Sequence, residues 1–342
     1  MTVPAGCDDH LWSIILAGGN GERLQPLVRR WLGHPKPKQY CSFVGSRSML
    51  QHTWDRADRL GAPERKVTVV SRQHCQEALA QLGDRAGTLA VQPANRDTAA
   101  GIYLPLTYLR ARDPNATVVL YPSDHFVYPE ERFVDAVRHA VLALELLKDR
   151  VVLIGVPPDR PEPEYGWILP GPQLGTYGGF PLQAVSAFIE KPDLPQLQAA
   201  LASGGYWNTL VTVAKLKTLW QAGWDCFPDL MTQFDRLQEA IGTSWEVAML
   251  ESVYHTMPRY NFSTDLLERL SERIAALEMD GVLWSDWGRV DRIVHTLRRI
   301  GKTPVFPVEL GLAVGERKIS SANGVGWRTA LHSHAAPWRN RA

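Results

Sequence analysis

Short buried-strand segments alternate with helical segments through the first half of the chain, and this alternation constrains the fold most strongly. Apolar and β-branched runs predict strands at residues 11–16, 67–70, 88–91, 118–121 and 151–156. Helical spacing of apolar residues predicts helices between them at residues 48–60, 73–82, 98–112 and 131–147. Because parallel strands are joined by crossover helices, this order predicts an α/β protein with a largely parallel sheet covered on both faces.

The second half of the chain has a less regular pattern. Six prolines between residues 157 and 172 exclude a long helix or a central strand there, so strands at 165–169 and 182–189 form an excursion from the sheet. Helical spacing returns at 194–201, 215–222, 229–241, 245–255 and 264–274. We expect one domain over residues 8–300, followed by a short basic C-terminal extension over 301–342. The extension is either a solvated surface or a contact for an anionic ligand or a partner.

Charge and composition narrow the choice of partners. The 342 residues carry 37 Lys and Arg against 36 Asp and Glu, which excludes binding to nucleic acid through bulk charge. No run of 18 apolar residues predicts a membrane span, and residues 1–10 lack the apolar stretch of a signal peptide. Cys7, Cys41, Cys75 and Cys226 lie far apart, in no metal-binding spacing, and predict free thiols in a cytoplasmic protein.

A glycine-rich loop follows the first predicted strand. Leu16-Ala17-Gly18-Gly19-Asn20-Gly21-Glu22-Arg23-Leu24 places three glycines within four positions. Without a Cβ, the backbone N–H groups of such a loop can approach a phosphate, and Arg23 adds a planar cation. The spacing is neither the dinucleotide-binding fingerprint nor a Walker A loop, so a plain glycine turn is the alternative. Pro37-Lys38-Gln39-Tyr40 follows and, taken alone, is a surface loop with a solvated lysine.

These two segments open a series of motifs that resembles the sugar-nucleotide pyrophosphorylases. The Pro-Lys-Gln-aromatic form is most similar to mannose-1-phosphate guanylyltransferases. The further segments, in the family's order, are Gln92-Pro93-Ala94-Asn95-Arg96-Asp97-Thr98-Ala99, Pro122-Ser123-Asp124-His125, Glu164-Tyr165-Gly166-Trp167-Ile168, Phe188-Ile189-Glu190-Lys191-Pro192, Tyr206-Trp207-Asn208 and Trp284-Ser285-Asp286-Trp287-Gly288. Their shared order across residues 11 to about 300 argues against a chance match.

The resemblance implies both a fold and a reaction. The fold is a Rossmann-like nucleotide-diphospho-sugar transferase fold with a mostly parallel, mixed central sheet, which makes residues 8–300 a nucleotidyltransferase catalytic domain. The implied reaction transfers a nucleotidyl group from GTP to mannose 1-phosphate and gives GDP-mannose and pyrophosphate, with Mg²⁺ as cofactor. The implied partners are small molecules, an NTP and a sugar 1-phosphate, without nucleic acid or membrane and with a homodimer as one option.

The matched motifs also imply the site residues. The catalytic cations are Arg23 and Lys38, and the Mg²⁺ ligands are Asp124 and Asp286. The implied nucleotide contacts are Ala17, Gly18, Gly19, Gly21, Gln92, Arg96 and Thr98, and the implied sugar-phosphate contacts are Gly166, Glu190, Lys191 and Asn208. Asp124 has separate support, because ligands of open parallel sheets bind beyond the carboxyl ends of strands. We expect both carboxylates at the solvent-facing mouth of the cleft.

Ordinary structural explanations remain open for several of these side chains. Asp124 and Asn208 could close turns, Lys191 could pair with Glu190 on the surface, and Arg96 could brace its loop. His125 is expected to be structural.

Departures from the family pattern leave the substrates open. Gln92, Asp97 and Ala100 stand where guanylyltransferases have Glu, Asn and Pro, and Thr209-Leu210 replaces Ser-Gly. One alternative is therefore the same reaction with another NTP or hexose 1-phosphate. A second alternative is a catalytically weak sensor of nucleotide sugars. Such a sensor could dispense with Arg23, Lys38 or either aspartate, and the chain has all four.

Overall fold

Two β-sheets organise the structure, which is a computed structural model that describes residues 10–310. The described strands are β1 (Leu11–Ala17), β2 (Lys66–Ser71), β3 (Thr88–Gln92), β4 (Thr117–Pro122), β5 (Phe126–Tyr128), β6 (Val151–Val156), β7 (Gly166–Tyr177), β8 (Phe180–Glu190), β9 (Tyr206–Lys215), β10 (Ile274–Glu278) and β11 (Leu283–Ser285). Nine of them form one sheet in the order β3-β2-β1-β4-β9-β6-β10-β8-β7, and β5 pairs with β11.

The large sheet is mixed but runs mostly in one direction. Strand β9 is antiparallel to β4 and β6, and β8 is antiparallel to β10 and β7. The other seven strands therefore share one direction. This confirms the predicted α/β fold with a mostly parallel, mixed central sheet.

Helices cover both faces of the large sheet. They are α1 (Gln25–Leu32), α2 (Met49–Asp58), α3 (Cys75–Leu82), α4 (Asp97–Arg112), α5 (Glu130–Ala143), α6 (Leu194–Ala202), α7 (Leu216–Cys226), α8 (Pro228–Ala240), α9 (Glu246–Thr256) and α10 (Val290–Arg299). Because successive side chains of a strand point to opposite faces, the neighbours Ile14 and Ile15 of β1 enter different cores. Ile14 belongs to the core that contains Tyr103 of α4, and Ile15 to the core that contains Trp54 of α2.

The strand register brings distant loops to one edge of the sheet. Strand β1 lies between β2 and β4, with Leu16 opposite Pro122 and Ala17 opposite Val70. Gln92, at the end of β3, lies opposite Ser71 of β2. Since these strands are parallel, the glycine loop, the segment after β4 and the end of β3 meet at the same carboxyl edge.

The small β5–β11 sheet joins two predicted motifs that are far apart in the chain. Ser285 lies opposite Phe126, so Asp286 follows β11 next to the segment that carries Asp124. Phe126 also stacks on Trp287, with ring centroids 4.4 Å apart. This pairing explains how residues from the middle and the end of the domain reach one site.

The predicted continuous helix at residues 264–274 is confirmed only in part, as two short helical turns. A π-helical turn at Ser263–Leu267 and a 3₁₀ turn at Ser271–Arg273 lead into β10 instead. The leucines at 266, 267 and 270 give the segment a helical spacing. The buried run that starts at Ile274 pairs with β6 and β8, and this non-local pairing decides its structure.

Packing continues past residue 300. The amide of Val305 donates to the carbonyl of Phe43 at 2.9 Å. Phe306 is buried and lies with its ring centroid 5.8 Å from that of Trp31. The boundary at residue 300 stays a prediction, and residues 311–342 of the predicted extension lie outside the described residues. Within residues 10–310, no helix is long and apolar enough to cross a membrane.

Candidate active site

The three glycines of the loop after β1 have different surroundings. Gly21 has a φ of +61°, and a Cβ on it would lie 2.8 Å from the amide nitrogen of Lys38. A Cβ on Gly18 would lie 2.5 Å from Oε1 of Gln92, whereas a Cβ on Gly19 would meet nothing within 4 Å. Gly18 and Gly21 therefore allow close packing within the protein, and Gly19 leaves open backbone surface.

Two side chains of the Pro37-Lys38-Gln39-Tyr40 motif to which the sequence analysis gave no role hold the glycine loop in place. Gln39 is buried, and its Nε2 donates to the carbonyl oxygens of Ala17 at 2.9 Å and Gly19 at 2.7 Å. The hydroxyl of Tyr40 donates to the same Ala17 oxygen at 3.1 Å. Burial raises the pKa of Tyr40 far above its ordinary value, so the hydroxyl remains a donor. The signal in the sequence was their membership of the motif that carries Lys38.

A cavity of about 360 Å³ opens beside this loop. Arg23, Lys38 and Asp124 line it together with Asn20, Gly21, Glu22, Leu24, Asn95 and Gly288. The ammonium group of Lys38 lies 3.1 Å from Oδ2 of Asp124 and also donates to the main-chain oxygen of Asp286. Lys38 is only 5% exposed, so it is not a solvated surface lysine. Both predicted catalytic cations thus lie at one cavity.

The carboxylate of Asp124 is partly exposed to solvent and is charged at neutral pH. Its side chain is about a third exposed. Burial opposes its ionisation, but the charge of Lys38 and its hydrogen bond outweigh burial and hold the pKa of Asp124 below its ordinary value. The His125 side chain is largely covered, at 15% exposed, and this desolvation lowers its pKa. A neutral His125 ring packs edge-on to Trp284 at 5.1 Å, in keeping with its expected structural role.

Asp286 is buried, and the expectation that it lies at the solvent-facing mouth is wrong. It is 7% exposed. Its Oδ1 accepts hydrogen bonds from the hydroxyl of Tyr165 at 3.0 Å, the amide of Gly288 at 2.9 Å and Nη1 of Arg292 at 2.8 Å. Its Oδ2 accepts from Nη2 of Arg23 at 3.1 Å. Burial opposes ionisation here too, but Lys38 and Arg292 hold the pKa of Asp286 well below its ordinary value.

Arg292 is the most important residue that the sequence motifs missed. It is 4% exposed and reaches three carboxylates, those of Asp286 at 2.8 Å, Glu162 at 2.8 Å and Glu164 at 2.6 Å. Its guanidinium also lies over the ring of Tyr165, 4.7 Å from the centroid. A buried arginine among three acids is stable only as a hydrogen-bonded network. No local motif marks it: Asp286 lies six residues before it, but Glu164 lies 128 residues away in the chain.

The predicted nucleotide-side residues beyond the loop are tied to the protein by several contacts. Gln92 is buried against Gly18 and donates to the hydroxyl of Tyr254 at 3.4 Å. Arg96 donates through Nε to the carbonyl of Tyr254 at 2.7 Å and through Nη2 to that of His255 at 2.8 Å, which supports the bracing alternative. Thr98 is exposed, and its hydroxyl accepts from the amide of Phe262 at 2.8 Å. Nucleotide contact by these residues stays a prediction.

The predicted sugar-side residues form a second cluster. A Cβ on Gly166 would lie 2.7 Å from Oε2 of Glu190 and 3.4 Å from Cβ of Asn208. Asn208 is 8% exposed and closes a turn by accepting from the amide of Leu210 at 3.0 Å. Lys191 is exposed, with its ammonium 3.7 Å from Oε1 of Glu190. Burial raises the pKa of Glu190 despite this lysine.

Tyr165 links the two clusters. Its main-chain oxygen accepts from the amide of Lys191 at 3.1 Å, and its hydroxyl donates to Asp286. Its ring packs edge-on to that of Trp207 at 5.1 Å. The sugar-side motif is thereby fixed relative to the cationic cavity.

Left-handed backbone conformations concentrate at these motifs. Among the described residues, the non-glycine positions with positive φ are Asp97 (+67°), Lys191 (+50°), Leu210 (+58°) and Trp287 (+44°). Such conformations cost about 1–3 kcal/mol each and cluster at functional sites. Every one of these residues lies within or directly beside a motif that the sequence singled out.

The carboxylates of the site fit the predicted Mg²⁺ to different degrees. Carboxylate oxygens suit this ion, which needs only one or two of them and keeps several waters. Asp124 fits, because its carboxylate lines the cavity and is partly exposed. Asp286 is not among the residues that line the cavity, and both its oxygens accept hydrogen bonds, Oδ2 from Arg23. Within residues 10–310, no group of three or more His, Cys, Asp or Glu side chains could hold a metal ion.

The fold and the site define a class of protein. It is an α/β protein with a cavity at the carboxyl edge of its sheet. Arg23, Lys38 and Gly21 of the glycine loop are among the residues that line this cavity. Comparison with known sequences makes this specific: the chain belongs to the nucleotidyl transferase family, which matches residues 12–302.

Individual relatives agree with this membership. The xanthan biosynthesis protein XanB of Xanthomonas campestris is 36% identical over 200 residues, which are 57% of this chain and 40% of the relative. A mannose-1-phosphate guanylyltransferase of Escherichia coli K12 is 29% identical over 285 residues, which are 81% of this chain and 58% of the relative. The chain thus spans about half the length of the curated relatives it matches.

A solved structure extends the likeness to the fold. The crystal structure described as a mannose-1-phosphate geranyltransferase from Thermus thermophilus superimposes with a TM-score of 0.71 at 27% identity. The match covers 84% of this chain and 79% of that one. The resemblance to sugar-nucleotide transferases that the motifs indicated is therefore confirmed at the level of the family.

Proposed function

We propose that this protein transfers a nucleotidyl group from GTP to mannose 1-phosphate, giving GDP-mannose and pyrophosphate in the cytoplasm. The observation that carries the proposal is the ion pair of buried Lys38 with partly exposed Asp124, beside Arg23 and the glycine loop. Such an arrangement suits a substrate that brings several phosphates together. The guanylyltransferase relatives support the choice of base and sugar.

The triphosphate side needs fixed positive charge. The ammonium group of Lys38 is already held by two oxygen atoms. The side chain therefore loses little rotational freedom when a triphosphate binds. Arg23 is half exposed and has N–H groups left for phosphate oxygens. The open backbone at Gly19 lets a phosphate approach the loop. Together these groups would neutralise charge that develops at the α-phosphorus.

On the sugar side, the protein has to position the sugar phosphate rather than activate it. Near pH 7 the phosphate of a sugar 1-phosphate is already ionised, so its oxygen can attack the α-phosphorus without a strong general base. The bond to pyrophosphate breaks as the new P–O bond forms. The exposed ammonium of Lys191 would bind the sugar phosphate. Glu190 and Asn208 lie beside Gly166, where their side-chain oxygens could accept hydrogen bonds from the sugar hydroxyls.

The cofactor we propose is Mg²⁺, with Asp124 as its first protein ligand and Oδ2 of Asp286 as the second. When bound, the ion supplies charge neutralisation between the phosphates of the two substrates. Oδ2 of Asp286 accepts one hydrogen bond from Arg23 at 3.1 Å, and its second lone pair would hold the ion without release of that arginine.

The test is a matrix of common NTPs against hexose 1-phosphates, with Mg²⁺ and pyrophosphate release as the signal. We expect the largest release with GTP and mannose 1-phosphate. Lys38→Ala removes the buried cation, and Lys217→Ala, an exposed lysine of α7, is the matched control. Folded protein that binds NTP but releases no pyrophosphate with any pair would favour the sensor alternative.

A further inference from the structure

Glu164 joins two arginines at the entrance to β7. Its Oε2 accepts from Nη2 of Arg292 at 2.6 Å and from Nη1 of Arg23 at 3.4 Å. Asp286 is bonded to the same two arginines, through Oδ1 and Oδ2 respectively. Arg23 is therefore held at both Nη atoms by carboxylates that are themselves fixed by one buried guanidinium.

We propose that Glu164 is a positioning residue that holds Arg23 in the orientation needed to bind a polyphosphate. The proposal rests on the proposed function only in assigning Arg23 to the triphosphate side. Arg292, 4% exposed, provides the rigid support, because it cannot leave its three carboxylates without leaving buried charge unpaired. Arg23 alone is a long, half-exposed side chain and would lose much rotational freedom on binding phosphate.

Glu164 could in principle compete with phosphate for Arg23 instead. The donor count favours positioning. A guanidinium has five N–H bonds, and the two carboxylates take two of them, which leaves the others for phosphate oxygens without release of either acid. The charges around Glu164 also favour positioning. Its carboxylate faces Arg23, Arg292 and, at 3.9 Å, Arg289. These three cations offset its negative charge, which therefore repels a bound phosphate little.

Glu162 provides a matched control. Its Oε1 lies 2.8 Å from the same Nη2 of Arg292, yet the contacts of Arg23 with acids are to Glu164 and Asp286. Glu164→Gln and Glu162→Gln are the same isosteric change next to the same arginine. A role in packing alone would make both variants behave alike.

The experiment is isothermal titration of the full chain with inorganic tripolyphosphate and, in parallel, with GTP, each in the presence of Mg²⁺. The proteins are wild type, Glu164→Gln, Glu162→Gln, Arg23→Met and the double variant Arg23→Met/Glu164→Gln. We expect Glu164→Gln to weaken tripolyphosphate binding about fivefold, the size of effect typical of a partly exposed ion pair. Glu162→Gln should stay within about twofold of wild type, and Glu164→Gln should have no effect in the Arg23→Met background.

Unchanged or tighter binding by Glu164→Gln, or an equal loss in the Arg23→Met background, would overturn the proposal. If Glu164→Gln does not fold, Glu164→Asp keeps the charge but shortens the reach, and the same dependence on Arg23 is expected. Titration reads binding alone, so it still decides the role of Glu164 if no sugar phosphate is ever converted. Failure of the proposed function would show separately, as bound nucleotide without transfer.

Discussion

Asp286→Asn should destabilise the protein, whereas Asp124→Asn should not. The two aspartates share the same predicted role, but Asp286 is 7% exposed and accepts four hydrogen bonds, two of them from arginines. An asparagine there would turn an NH₂ group toward at least one of these donors and leave Arg292 short of negative charge. Asp124 is about a third exposed and has Lys38 as its close charged partner.

The size of the effect follows from these surroundings. Breaking a buried ion pair costs about 3–5 kcal/mol, and we expect about 3 kcal/mol because Arg292 keeps its two glutamates. For a chain of this length, 1 kcal/mol lowers Tm by about 2 °C, which predicts a drop of about 6 °C for Asp286→Asn. For Asp124→Asn, the loss should be below about 1 kcal/mol, or less than about 2 °C.

The same prediction has a pH dependence with a defined sign. The pKa of Asp286 in the folded protein lies below its ordinary value, so its contribution to stability is complete above the unfolded pKa of about 3.9. The contribution is lost as the pH falls from there toward the folded pKa. The difference in stability between wild type and Asp286→Asn should therefore be constant near neutral pH and shrink in acid.

The assay is urea or thermal unfolding followed by tryptophan fluorescence, with pyrophosphate release measured on the same samples. Both variants should lose activity severely, and excess Mg²⁺ should restore part of it. Equal Tm values for the two variants, within about 1 °C, would refute the reasoning about the buried network. Near-normal activity of Asp286→Asn would instead refute its role in the site.

Three further predictions concern the cations and the loop. Lys38→Ala and Arg23→Ala should each lower kcat about 10²-fold or more, measured by pyrophosphate release, with Lys217→Ala unchanged; a loss below about threefold would contradict their assignment. Lys191→Ala should mainly raise KM for the sugar phosphate, because that contact exists in ground and transition states alike, and an unchanged KM would show the assignment to be wrong. Gln39→Ala removes the donor of the Gly19 carbonyl and leaves the Ala17 carbonyl with Tyr40 as its side-chain donor. It should cost about 1–3 kcal/mol in urea unfolding, and an unchanged midpoint would show that these hydrogen bonds are not needed.

The first half of the fold could be predicted because its signals are local. Strands β1 and β4 are each a short apolar run followed by a turn, which after β1 is the glycine loop. Both strands lie where the sequence pattern predicts them. Strand β9 does carry a local signal, the run Leu210-Val211-Thr212-Val213-Ala214, which the sequence analysis missed. The sequence does not indicate that this strand inserts antiparallel between β4 and β6.

The candidate site was predictable residue by residue but not as a network. The motifs correctly indicated that Arg23, Lys38 and Asp124 lie together at the carboxyl edge of the sheet. They did not indicate that Asp286 is buried, because its burial depends on Arg292 from α10 and on the segment before β7. Glu164 lies 128 residues before Arg292 in the chain, so no local pattern connects them.

One measurement tests nucleotidyl transfer most directly. GTP and mannose 1-phosphate, labelled with ¹⁸O in its non-bridging phosphate oxygens, are incubated with the protein and Mg²⁺, and the products are analysed by mass spectrometry. If the sugar phosphate attacks the α-phosphorus, GDP-mannose and pyrophosphate form in equal amounts, with the label in GDP-mannose and none in pyrophosphate. Lys38→Ala should reduce both products about 10²-fold or more. Release of unlabelled phosphate or pyrophosphate without GDP-mannose would contradict the account, since it would mean hydrolysis of the nucleotide rather than transfer to a sugar.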